Sequence, residues 1–69
     1  MTDHVYKKIE VVGTSQGGVD EAINNAVTKA SKTVHHMRWF EVSEIRGRVD
    51  KGTVAEFQVT LRIGFRLDE

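Results

Sequence analysis

The sequence predicts an α+β domain of strand–helix–strand–strand order: a three-stranded antiparallel sheet of order 1-3-2, packed on one helix. Three observations predict it. Apolar residues recur with a period of 3.6 between positions 19 and 34. They recur with a period of 2 on both sides of that segment, and the turn signature Asp50-Lys51-Gly52-Thr53 joins the last two alternating runs. With 69 residues, the whole chain, 1–69, reads as a single domain.

The first strand spans Val5 to Val12, with Val5, Ile9 and Val11 on one parity and Tyr6, Lys8 and Glu10 on the other. Gly13-Thr14-Ser15-Gln16-Gly17-Gly18 then reads as a flexible connection. Its glycines match neither a phosphate-binding Walker loop nor a complete GxGxxG. Val19, Ala22, Ile23, Ala26, Val27, Ala30 and Val34 form one face of an amphipathic helix held for over four turns. Asp20 and Glu21 stand in its first turn and Lys29 and Lys32 towards its end, as the macrodipole favours. Gly18 falls at the N-cap, so Glu21 has no side-chain cap to complete a capping box. His35 and His36, side by side, do not make an i, i+4 metal pair. A histidine meeting the last carbonyls of the helix is the simpler reading.

From Arg38 to Val49 the second strand sets Phe40 and Val42 on one face and Trp39, Glu41 and Ser43 on the other. The third, Val54 to Leu67, alternates almost completely: Phe57, Val59, Leu61, Ile63 and Phe65 against Glu56, Gln58, Thr60, Arg62 and Arg66. A helix between strands one and two leaves those strands parallel, and the hairpin makes strand three antiparallel to strand two. All neighbours are then antiparallel only if strand three is central. The helix covers the odd-numbered apolar row of strand three, and Phe40 and Val42 face the core with it. Trp39 shares the opposite, open face with Gln58 if directly opposed residues have an odd number sum. A four-residue loop, Asp50 to Thr53, does this and sets Glu41 opposite Arg62. A three-residue loop needs a bulge near Ile45-Arg46-Gly47.

Composition narrows the function. Lys plus Arg and Asp plus Glu both number 10, giving a formal net charge of zero, without the surplus that releases counterions from nucleic-acid phosphates. There is no Cys, hence no disulfide, thiolate metal site or Cys nucleophile. No apolar run approaches the roughly 18 residues of a membrane span, and Met1-Thr2-Asp3-His4 lacks the order of a signal peptide. A cytoplasmic protein that binds neither nucleic acid nor membrane is the expectation. A domain of about 60 residues buries only roughly 60% of its unfolded surface, and small chains compensate with disulfides, metals or subunit contacts. Self-association is the route left open.

The lone Trp39 on an open sheet face has two readings: an oligomer contact, or a stacking platform for a planar ligand. Gln58, on the same face, offers an amide that matches an edge alternating donors and acceptors, as in a pyrimidine-like ring. Arg38, Arg46, Arg48, Arg62 and Arg66 cluster in the second half. Most read as ion-pair partners of Glu41, Glu44, Glu56 and Asp68, across strands or subunits. Neither Ser15 nor Ser43 has a His–acid arrangement that activates it, so no catalytic residue is assigned. No metal site is assigned either.

Val11-Val12-Gly13-Thr14-Ser15, Glu21-Ala22-Ile23, Trp39-Phe40-Glu41-Val42, Ile45-Arg46-Gly47, Phe57-Gln58-Val59-Thr60-Leu61 and Gly64-Phe65-Arg66-Leu67, in that order, resemble a dodecin over nearly the whole chain. Gly17-Gly18 and Val19 depart from the hydroxyl residues and Trp that relatives often carry at the helix start. The resemblance implies a β-α-β-β protomer in a hollow twelve-subunit shell, with flavins bound in pairs between Trp side chains of symmetry-related chains. Trp39 matches the stacking position, Gln58 the residue that hydrogen-bonds the pyrimidine edge, and Arg46 an arginine near the ligand and its phosphate tail. The near-neutral charge is unlike that of acidic, salt-adapted relatives and points to a bacterial-type protein with FMN as ligand, ahead of riboflavin or lumichrome. The implied role is flavin storage, buffering and photoprotection without turnover. Some relatives are also associated with coenzyme A. A scaffold without ligand and a flavoenzyme using the same pocket are the competing functions.

Overall fold

The computed structural model describes residues 3–68, so Met1 and Thr2 of the leader reading lie outside the described residues. Its elements are β1 (Tyr6–Ser15), α1 (Val19–Ala30), β2 (Met37–Asp50) and β3 (Thr53–Arg66). The sheet is antiparallel with order β1-β3-β2, as the connection lengths require.

β1 is longer than the alternation indicates. Gly13, Thr14 and Ser15 pair with Val59, Gln58 and Phe57, so they continue the ladder and are no flexible bend. Gly13 owes its identity to packing: a Cβ there would stand 2.0 Å from the carbonyl oxygen of Ala22, so glycine lets α1 press on the strand. Helix entry is organised by Ser15, which donates from Oγ to the Glu21 carboxylate and accepts from the Gly17 N–H at 2.8 Å. Gly18, with φ +144°, occupies the N-cap and supplies no side-chain cap.

The helix stops at Ala30, four residues before Val34. Ser31 Oγ donates to the Thr28 carbonyl (2.6 Å), and Lys32 N–H to the Lys29 carbonyl (3.3 Å). Hydroxyl competition for backbone acceptors and a tightened last turn thus end a segment whose apolar spacing alone runs on. His36, in the left-handed region at φ +64°, then redirects the chain into β2. It does not cap α1; its Nε2 lies 3.2 Å from Asp68 Oδ1.

The core is Ala22 and Ala26 of α1 against Val59, Leu61 and Ile63 of β3, the odd-numbered row of the central strand. The expected place of Phe40 and Val42 in that core is corrected. They are 49% and 40% exposed, because α1 lies over β1 and β3 and leaves the helix-side face of β2 largely bare.

The hairpin turn is two residues, Lys51-Gly52, both at positive φ (+52° and +79°), since Asp50 already pairs with Thr53. Trp39 pairs with Gly64 and Glu41 with Arg62, the odd-sum register expected. Two offsets cancel on the way. Ala55 has no partner between Val49↔Val54 and Arg48↔Glu56, and Ser43 has none between Val42↔Leu61 and Glu44↔Thr60. Ser43 is therefore a bulge residue, its Oγ donating to the Thr60 carbonyl at 3.2 Å. Between the offsets Arg46 sits opposite Gln58, on the open face.

Candidate functional site

The open face is polar along most of its length and aromatic at one end. There Trp39, near the start of β2, lies across Gly64 of β3: a Cβ on Gly64 would fall 2.3 Å from two indole carbons. The missing side chain is what lets the ring lie down on the sheet. Tyr6 of β1 meets the indole edge-on, with centroids 5.2 Å apart and planes at 64°, an arrangement the aromatic quadrupoles favour. The indole remains 40% exposed, so its outer face is available to another flat group.

Its polar edge is also held. Nε1–H donates to Glu41 Oε2 at 3.1 Å, and Lys8 Nζ donates to the same oxygen at 3.1 Å. Lys8 and Trp39 both pair with Gly64, from opposite sides of β3, so the amine reaches Glu41 over a residue without a side chain. The indole hydrogen bond, the Lys8 hydrogen bond and the positive charges of Lys8 and Arg62 together hold the Glu41 carboxyl below its ordinary range, against a smaller desolvation effect. The expected Arg–Glu pairing is thereby revised. Lys8 is the partner of Glu41, Arg62 pairs with Glu10 (3.6 Å), and Asp68 is met by His36.

Gln58 and Arg46 stand side by side on neighbouring strands, and Gln58 Nε2 donates to Glu56 Oε1 at 3.0 Å. Gln58 is six residues from Gly64 along β3, about 20 Å at roughly 3.3 Å per residue. One chain thus brings Arg46 to Gln58 but does not bring either to Trp39. An apolar hollow of about 250 Å³ beside Trp39 is lined by Val27, Met37, Arg38, Phe40 and Ile63 and does not extend to Gln58. Among the described residues, no three His, Asp or Glu side chains gather to hold a metal ion, and no helix is long and apolar enough to cross a membrane.

Three residues of this geometry carry no signal in alternation alone: Gly64, Tyr6 and Lys8. Each acts on Trp39 only once β3 is known to be central, because β1 then faces β2 across a single strand.

The dodecin family model matches residues 5–68. The chain belongs to the dodecin family. Dodecin from Thermus thermophilus is 54% identical over 65 residues, covering 94% of both chains. The structure of dodecin from Streptomyces coelicolor superposes with a TM-score of 0.94 at 54% identity, covering 100% of this chain and 99% of that one. Dodecin from Streptomyces davaonensis gives a TM-score of 0.94 at 50% identity, over 99% and 100%. The strand order, the single helix and the long β2–β3 hairpin are thus those of dodecins, and the family binds flavins.

Proposed function

We propose that this dodecin stores and buffers flavin, FMN in the first place, and protects it from light, inside a hollow dodecamer in the cytoplasm and without catalytic turnover. The observation that carries the reading is the sole Trp of the chain, laid flat on a glycine of an open sheet face with one side exposed. A flat, polarizable ring displayed in this way fits an isoalloxazine, which gains area burial and π contact from stacking. Each chain has one Trp, so a ring sandwiched between two indoles takes two copies. Self-association and binding are then one event. In this reading Gln58 supplies the donor–acceptor pair for the pyrimidine edge. Arg46 beside it supplies a guanidinium for the phosphate tail, the feature that favours FMN over riboflavin or lumichrome. An indole in van der Waals contact quenches an excited flavin by electron transfer, the chemistry photoprotection needs.

Titration of the apo-protein with FMN, riboflavin and lumichrome, followed by flavin fluorescence, tests this. FMN is expected to bind with strong quenching, and Trp39→Ala to restore fluorescence and weaken binding. Aromatic stacking on this scale is worth about 1–3 kcal/mol per ring, roughly five- to 150-fold in Kd. Equal affinity for FMN in Trp39→Ala would sink the stacking role. A colourless, fully assembled protein that quenches none of the three flavins would favour a scaffold, whereas displacement of FMN by coenzyme A would add a second ligand.

A further inference from the structure

Trp39 is half exposed at the start of a strand, and an exposed indole has several staggered orientations to choose from. In this chain four residues, three in contact with the ring and one behind them, hold it in one. Gly64 leaves the floor on which the ring lies, Tyr6 abuts its edge, and Nε1–H is held by Glu41, itself held by Lys8. Three of these come from outside β2. The carboxylate is the one contact with direction, because an N–H···O bond at 3.1 Å fixes both where the indole lies and how it is rotated.

We infer that Glu41 is a positioning residue for the flavin platform: its carboxylate, anchored by Lys8, locks the Trp39 indole flat on Gly64 before ligand arrives. The inference rests on the flavin-binding reading only for its consequence, affinity, and not for the lock itself. Ordering a rotamer-rich aromatic on binding costs free energy that a pre-set ring does not forfeit. Lys8 has a separate part. Without it the carboxylate is free to turn towards Arg62, the neighbouring cation on β3, and release the indole.

The lock depends on charge. Glu41 is faced by Lys8 and Glu10 from β1, by Arg62 from β3 and by Trp39 on its own strand; Tyr6 lies against the indole, and Glu10 is paired with Arg62. As the hydrogen bonds and cations depress the folded-state pKa, the ionised lock is complete above the unfolded carboxylate pKa of about 4.3 and is lost as pH falls through the lower folded value.

The test reads the ring itself. With one Trp in the chain, indole fluorescence anisotropy and the long-wavelength edge of the near-ultraviolet circular dichroism, beyond the absorption of Tyr6, report on Trp39. In the intact, assembled protein Glu41→Ala is expected to lower both signals and weaken FMN binding on the order of tenfold. Lys8→Met is expected to give an intermediate loss. Glu41→Gln, whose neutral amide oxygen accepts from Nε1–H more weakly than a carboxylate and draws Lys8 less strongly, is expected to recover only part of the affinity and to remove the acid-side loss of indole signal. Unchanged circular dichroism and unchanged FMN affinity in an assembled Glu41→Ala protein overturn the inference, as does a Glu41→Gln protein that keeps the acid transition of the parent. If the parent itself quenches no FMN, the flavin reading fails, while the dichroism series still decides the lock. If Glu41→Ala fails to assemble, Lys8→Met and the pH profile of the parent decide it.

Discussion

At the scale of single residues, two glycines that look alike in the sequence do opposite work. Gly13 faces backbone: its missing Cβ is the space into which the Ala22 carbonyl oxygen moves, 2.0 Å away, and neither strand nor helix can yield cheaply. Gly64 faces a side chain, the indole of Trp39, which is 40% exposed and can swing off the sheet. Gly13→Ala should therefore cost about 1–3 kcal/mol of stability or more, lowering the thermal midpoint by roughly 4–8 °C per kcal/mol for a domain of this size. Gly64→Ala should leave the midpoint within a few degrees of the parent and weaken FMN binding on the order of tenfold, about 1.4 kcal/mol. Scanning calorimetry at fixed protein concentration, paired with FMN titration, separates the two. A Gly64→Ala protein that melts early but binds normally would mean that the indole is no platform.

At the scale of elements, the hairpin turn is the clearest local compromise. Both turn residues have positive φ, as a type I′ turn needs. Gly52 adopts this freely, whereas Lys51 at φ +52° has no short polar side chain to ease it. Lys51→Asn should recover part of the roughly 1–2 kcal/mol that a left-handed residue costs, raising the denaturation midpoint with no change in FMN binding. A lowered midpoint would mean that the Lys51 side chain holds something across the turn. The same hairpin shows which parts of the fold are legible in a sequence. Alternation identifies β3 and its buried row Val59, Leu61 and Ile63, because period 2 is imposed by the pleat. It also gives the faces of Trp39 and Gln58, because the offsets at Ala55 and Ser43 cancel and leave the parity that the loop sets. It does not give Arg46. Strict alternation from Trp39 carries Arg46 to the helix side, and only the offset at Ser43 returns it to Gln58. A bulge is fixed by twist and by the partner strand, neither of which leaves a mark in local hydrophobicity. The end of α1 is hidden for a related reason. Val34 keeps the apolar spacing, but the hydroxyl of Ser31 takes a backbone acceptor. The Lys8–Glu41–Trp39 relay joins residues more than thirty positions apart, across a strand on which Gly64 contributes no side chain.

At the scale of the molecule, the decisive feature is what α1 fails to cover. The described chain extends 56 × 20 × 13 Å, with the β2–β3 hairpin running on past a helix that shields β1 and β3. Phe40, Val42 and Ile45 follow one another on the helix-side face of β2, each at least 40% exposed. Soluble monomers seldom leave a contiguous apolar strip of this kind in water, and a core of two alanines and three larger side chains is small for an independent domain. Zero net charge leaves no long-range repulsion against bringing many copies together. In the proposed assembly this strip is where other copies complete the core. The pair Val42→Lys and Ile45→Glu sets charges into it without touching Trp39, Gln58 or Arg46. Sedimentation should show the parent as a particle of many subunits and the double variant as smaller species. Because folding and association are linked, the variant's thermal midpoint should fall and become strongly dependent on protein concentration. FMN quenching should disappear with the assembly even though every proposed ligand contact is intact, since a platform with one indole per chain makes a sandwich only between copies. A double variant that stays fully assembled, or a parent that sediments as a stable 7.8 kDa monomer, would show that β2 has no need of a partner.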